Sequence, residues 1–110
     1  SGMPHLDPYG PFVAWLIKEH GFAPQDIARV CSLNPGNFVN AFRSQWEHGR
    51  GFGNIEEGYV GSLTILDMTT PAKVEKAMLK TKCGWSPFEG TTFPGSGRFT
   101  IVRERIYPCA

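Results

Sequence analysis

Along the first third of the chain, apolar positions recur at steps of three and four residues. In "DPYGPFVAWLIKEHG", Phe12, Val13, Leu16 and Ile17, with Trp15 beside them, make a broad apolar stripe, while Lys18, Glu19 and His20 collect at the far end. This spacing predicts an amphipathic helix with one face on a core. Asp7 or Gly10, each followed by a proline, offers a cap, and Gly21 a stop. "APQDIARVCS" predicts a second helix, with Pro24 at its start, Asp26 in its first turn, and Ile27, Val30 and Cys31 on one side. Asn34 as N-cap with Pro35 behind it predicts a third over "NPGNFVNAF".

The pattern then changes. "EHGRGFGNIEEG" carries glycines at 49, 51, 53 and 58 and reads as a loop; "GSLTILDM" has the β-branched content of a strand. "TPAKVEKAMLK" predicts a short helix opening at Thr70 and Pro71, which would set Lys73, Lys76 and Lys80 on one solvated face. "TKCGWSPFEGTTF" has no regular period; after it and the turn "FPGSG", "RFTIVRERIY" predicts a final strand. Helices first and strands after them define an α+β class. The composition shift divides the chain into 1–46 and 47–110.

A length of 110 residues suits one core, and a 41% hydrophobic share suits a folded one. A formal charge of +1 is too small to drive nucleic-acid binding, so no nucleic-acid partner is expected. No apolar run reaches the roughly 18–20 residues that cross a bilayer, and the N-terminus lacks a basic segment followed by an apolar one, so no membrane association is expected. Cys31, Cys83 and Cys109 are an odd, unpaired set, which suits reduced thiols in a cytoplasm.

Candidate chemistry is sparse. The glycine run follows a helix and precedes a strand, the reverse of a phosphate-binding loop. His5, His20 and His48 are as scattered as the cysteines, so the expectation is surface or helix-end histidines rather than metal ligands. Cys83 has no histidine near it in sequence and reads as a small buried thiol. Glu56 and Glu57 are adjacent and would point to opposite sides, which keeps them from flanking one bond.

Four blocks nevertheless resemble one family. "KCGWSPFEG" before "GRFTIVRERIY" is similar to the end of dihydroorotases and other cyclic amidohydrolases, where Lys-Cys-x-x-(Ser/Thr)-Pro-(Phe/Tyr)-x-Gly precedes a Thr-(Ile/Val)-Val-Arg-Gly strand. "DIARVCSLNPGNFV" resembles the family's helix and Asn-Pro-Ala-(Arg/Lys)-(Ile/Phe) turn. "GNIEEGYVGSLTILDM" resembles Gly-x-Ile-x-x-Gly-Tyr-Asp-Ala-Asp-Leu-(Val/Thr)-(Ile/Leu)-(Ile/Leu)-Asp, and "SGMPHLD" resembles Ser-Gly-x-Pro-Gly-x-Glu. Together they run in family order from Ser1 to about Tyr107.

The resemblance implies the closing helices of a (β/α)₈ barrel followed by short strands of a composite C-terminal β-sandwich. Because barrel active sites lie on the βα loops, it also implies that the family's His-x-His pair, carboxylated lysine, further histidines and catalytic aspartate belong upstream of Ser1. On that reading this chain holds no catalytic residue, no metal ligand and no cofactor of its own. Zinc belongs to the parent enzyme, whose reaction interconverts N-carbamoyl-aspartate and dihydroorotate in pyrimidine biosynthesis. Ser1 and Gly2 are the positions implied to touch substrate. The implied partners are the remainder of the barrel, aspartate transcarbamoylase, and a second copy of the isolated chain, whose Phe12, Trp15 and Leu16 would lie exposed without a barrel wall. Val60, Gly61 and Ser62 replace Asp-Ala-Asp, Glu104 replaces a glycine, and Gly36-Asn37 replaces Ala-Arg. These departures leave room for a non-catalytic scaffold or interaction module; a hydantoinase or allantoinase relative is the further alternative.

Overall fold

The structure, a computed structural model, describes residues 3–43 and 49–109. In chain order it has α1 (Tyr9–Glu19), α2 (Pro24–Ala28), a widened helical turn (Arg29–Leu33), α3 (Asn34–Phe42), β1 (Leu63–Asp67), β2 (Ala72–Lys73), a 3₁₀ turn (Lys76–Met78), β3 (Thr92–Phe93), β4 (Ser96–Val102) and β5 (Arg105–Pro108). Helix and strand are mixed, helices first, as the α+β expectation requires. The proposed division at 46/47 falls outside the described residues.

α1 forms where its apolar stripe predicts, but neither expected residue caps it. Pro8 stands at the N-cap, Gly10 lies inside the helix, and the Asp7 carboxylate is committed elsewhere. Gly21 adopts a positive φ of 71°, turning the chain so that the Phe22 N–H reaches the Leu16 carbonyl at 3.3 Å. The stripe is not left open: Phe12, Trp15 and Leu16 are half-buried, and Val13 and Ala14 are buried. The expectation of an exposed Phe12/Trp15/Leu16 face is therefore corrected. The covering rings are Phe88 and Phe93, with centroids 6.0 Å from Phe12 and 6.5 Å from Trp15 respectively.

The two expected helices after α1 merge into one run, Pro24 to Phe42. Asn34 (φ −66°, ψ −47°) and Leu33 (φ −62°, ψ −52°) are both helical, so Asn34 caps nothing. Pro35 has no N–H for the carbonyl one turn back, and a turn widened to i→i+5 just ahead of it absorbs the missing bond. Of the expected inner face only Ile27 is buried; Cys31 is half-buried and Val30 is 53% exposed. The glycine loop folds back on α3. Asn40 donates from Nδ2 to the Phe52 carbonyl (3.0 Å) and accepts the Phe52 N–H on Oδ1 (3.0 Å). A Cβ on Gly36 would stand 2.5 Å from the Phe52 carbonyl oxygen. That approach gives glycine a reason where the resembling motif has alanine.

β1, β4 and β5 make an antiparallel sheet in the order β1-β4-β5. Ile65 faces Phe99 and Leu66 faces Gly97, which leaves Arg98 as the extra residue of a bulge. The expected single strand over 98–107 is a hairpin, broken at Arg103 and Glu104, whose φ values of 48° and 71° are those of a two-residue primed turn. The expected helix over 70–80 is also corrected. Ala72 and Lys73 pair with Phe93 and Thr92, and Val74 is 1% exposed, held by its N–H to the Thr91 carbonyl (2.9 Å) and by its carbonyl from the Gly90 N–H (2.8 Å). Burying Val74 against "EGTTF" outweighs local helix preference, and Lys73, Lys76 and Lys80 are exposed without sharing a helical face.

α1 is seated on this β-rich half by small residues. A Cβ on Gly10 would stand 2.9 Å from the Gly97 backbone nitrogen, and one on Gly95 2.9 Å from the Ala14 Cβ. Positions 10 and 14 share a helix face, and 95 and 97 are two apart along the strand approach, so the helix axis lies close over the start of β4.

Glycine fits a left-handed turn position without the Cβ clash that Glu104 carries. Glu104→Gly is expected to raise unfolding free energy by about 0.5–1 kcal/mol, read by urea denaturation; an unchanged or lowered midpoint contradicts this account of the turn.

Candidate functional site

Two of the four family-like blocks, the N-terminal one and the one around "KCGWSPFEG", meet at the N-terminal end of α1. Ser1 and Gly2, the two positions implied to touch substrate, lie outside the described residues. The segment next to them, Met3 to Pro8, is anchored twice to the aperiodic stretch "TKCGWSPF" and its approach. The Asp7 Oδ2 accepts the backbone N–H of both Lys80 and Thr81, each at 3.0 Å. Two residues earlier His5 stands among three rings, with centroids 5.0 Å from Phe12, 5.6 Å from Phe88 and 5.8 Å from Tyr9. Its Nδ1 is buried and has no hydrogen-bond partner among the described residues. His5 is thus half-buried rather than fully exposed, and the surface expectation for it is corrected to that extent: its ring packs on Phe12 and Phe88.

The aperiodic stretch is a chain of turns wrapped around those anchors. The Gly84 N–H bonds the Thr81 carbonyl (3.1 Å), the Glu89 N–H bonds the Ser86 carbonyl (3.2 Å), and the buried Ser86 accepts the Phe88 N–H on Oγ at 3.1 Å. These bonds turn Phe88 toward His5 and Phe12. Cys83, expected buried, is exposed, because the turn that delivers Ser86 and Phe88 inward leaves it outside. Its Sγ lies 3.2 Å from the Thr81 hydroxyl, which stabilises the thiolate and, with nearby backbone N–H groups, pushes the thiol below its ordinary value.

Elsewhere the candidates scatter. His20 sits exposed at the end of α1 against Trp15 (4.0 Å between centroids), as a helix-end histidine should. His48 lies outside the described residues. Cys31 borders Tyr9, and their hydrogen bond, aided by burial, pushes the Tyr9 hydroxyl up. Glu56 and Glu57 are both exposed; Glu56 meets Arg50 at 3.2 Å, and the Arg50 guanidinium lies 4.8 Å over the Tyr59 ring. Thr69 and Thr70 hold the Asp67 carboxyl well below the usual carboxylate range, chiefly through the Thr69 N–H at 2.8 Å. This closes the turn after β1. An open cleft of about 390 Å³ lies between Tyr59–Gly61 and the Arg103–Glu104 turn, with no pair of acids or nucleophile and base across it. Among the described residues no three His, Cys, Asp or Glu side chains converge, so they do not fit the zinc site that the resemblance implies for the parent. Among the described residues no helix is long and apolar enough to cross a membrane.

Sequence reasoning gave Asp7 only a helix-capping role and His5 only a surface or helix-end one. The available signal was Asp7 itself, an acid at the glutamate position of Ser-Gly-x-Pro-Gly-x-Glu. Nothing in the pattern marked His5, which stands where that motif has glycine.

No family model matches the chain. Similarity to curated proteins, however, points to one class, the amidohydrolases. Those proteins are dihydroorotases: the chain is 28% identical over 106 residues to that of Pyrococcus furiosus and 24% over 106 residues to that of Methanosphaera stadtmanae, covering 96% of this chain and 23% of each relative. It is 37% identical over 90 residues to the dihydroorotase of Archaeoglobus fulgidus, covering 82% of this chain and 20% of that protein. The resemblance drawn from the motifs is a real one and takes in nearly the whole chain. The chain spans about a fifth of the length of the curated relatives it matches.

With Cys31 and Cys109 replaced by serine, Thr81→Val is expected to move the pH midpoint of Cys83 alkylation by iodoacetamide upward. The hydroxyl that stabilises the thiolate is then gone. An unmoved midpoint contradicts the pairing.

Proposed function

We propose that this chain is the C-terminal portion of a dihydroorotase-type amidohydrolase, the part that closes the barrel with its helices and adds strands to a β-sandwich. The supporting observation is collinear similarity to dihydroorotases along 96% of the chain, including the Pyrococcus furiosus and Methanosphaera stadtmanae proteins. On this reading the whole protein interconverts N-carbamoyl-aspartate and dihydroorotate in the cytoplasm, with zinc held by residues outside this chain. Ser1 and Gly2 contact the cyclic substrate, and residues 1–46 belong to the barrel while 47–110 belong to the sandwich. The present residues contribute shape and support rather than proton transfer.

The reading also assigns partners. α3 presents Phe38 and Phe42, rings 5.2 Å apart and 69% and 78% exposed, with Val39 47% exposed between them. The remainder of the barrel covers this face in the whole protein; a second copy covers it when the chain stands alone.

The test is an assay of dihydroorotate hydrolysis, with zinc supplied, on the purified intact gene product and on the 110-residue chain. Turnover is expected from the intact product and none from the chain. Turnover by the chain alone contradicts the reading. So does an intact product that opens hydantoin or allantoin and leaves dihydroorotate untouched.

A further inference from the structure

We infer that the open edge of β1 is an interface, covered by β1 of a second copy of this chain, paired antiparallel about a two-fold axis at Thr64. The inference goes beyond the function proposed above and stands without it. The ladder fixes which backbone groups face outward. The Cys109 N–H bonds the Arg98 carbonyl at 2.8 Å, across the Phe99–Pro108 pair, so Phe99 turns its own N–H and carbonyl away from β5 and toward Ile65 of β1. Alternation then aims those of Leu63 at β4 as well, and those of Thr64 and Leu66 outward. Only β4 pairs with β1, and no turn or loop among the described residues bonds the backbone of Thr64 or Leu66. Thr64 is exposed.

The other edge of the sheet is protected and this one is not. On β5, Pro108 has no N–H to offer and Arg105 carries a charge, two devices that discourage further pairing. From Gly61 to Leu66 there is neither charge nor proline, and the β-branched Thr64 and Ile65 lie in the middle. The edge also fits itself. With the axis at Thr64, each Thr64 N–H meets the other copy's Thr64 carbonyl, and each Leu66 N–H meets the other copy's Ser62 carbonyl. The Ser62 N–H is already taken by the Val60 carbonyl at 2.9 Å and needs no partner there. Side chains match too: Ile65, 45% exposed, falls opposite the other copy's Leu63, and threonine falls opposite threonine. An axis at Ile65 would set Leu63 against the Asp67 carboxylate, so charge selects the register.

The test is amide hydrogen exchange in the intact gene product at Thr64 and Leu66, with Ile65, which pairs with Phe99 inside the chain, as reference. Protection at Thr64 and Leu66 is expected to fall on roughly hundredfold dilution while that at Ile65 holds. Thr64→Lys and Thr64→Glu each set like charges across the axis and should lower protection at position 64 about fivefold; an equimolar mixture of the two should restore it. A Thr64 amide unprotected at every concentration overturns the inference. Protection that ignores dilution does so as well, since a strand of the same molecule then covers the edge, and so does a mixture that behaves as its separate parts. Phe38→Ser combined with Phe42→Ser should leave the dilution effect in place; its disappearance assigns the association to α3 and overturns the β1 interface. If a variant at position 64 also loses protection at Ile65, β1 has come away from β4, and dilution of the unsubstituted protein decides. None of these readings depends on turnover, so a product that leaves dihydroorotate untouched removes the proposed function alone.

Discussion

The fold depends on how closely α1 can lie over the beginning of β4. Gly10 above Gly97, and Ala14 above Gly95, allow an approach that any larger pair would prevent. Once the helix is seated there, its flank brings Phe12 and Trp15 within reach of Phe88 and Phe93, and Val13 leaves solvent. Small residues thus set the distance and aromatic residues fill the space beside them. Among the described residues few large side chains are fully buried, and that aromatic cluster is an apolar contact that joins α1 to the turns and strands after it.

The same seat explains how the N-terminal segment meets residues some 75 positions away. With α1 fixed on β4, Asp7 at its head lies beside Lys80 and Thr81, and His5 beside Phe88. The aperiodic stretch that resisted assignment by period is then a packing element whose turns are satisfied by its own backbone and by Asp7. Its apolar residues are spaced for a curved wrap. A strand or helix would have spaced them at two or at 3.6 residues.

The features legible in the sequence are those set by local forces. α1, β1 and the glycine loop come from periodicity and turn chemistry, and the structure has them. The helix expected over 70–80 does not form because Val74 gains more by pairing with Gly90 and Thr91 across a loop than by local helix bonds. The long final strand hides a turn because Arg103 and Glu104 are not residues that announce positive φ. Merging α2 with α3 depends on a widened turn ahead of Pro35, which no cap pattern signals. Family resemblance was legible because four motifs keep their order, and it agrees with the dihydroorotase similarity. The geometry of the candidate site was not: the Asp7 bonds and the half-buried setting of His5 both arise from contacts across most of the chain.

Gly10→Ala separates the helix's own preference from its seat. Alanine in place of an interior helical glycine should stabilise an isolated helix by about 1 kcal/mol. The seat predicts the reverse, a loss of about 1–3 kcal/mol from overpacking against the Gly97 backbone, with tryptophan fluorescence and far-ultraviolet dichroism shifting together in guanidinium titrations. A stabilised Gly10→Ala protein would contradict the account.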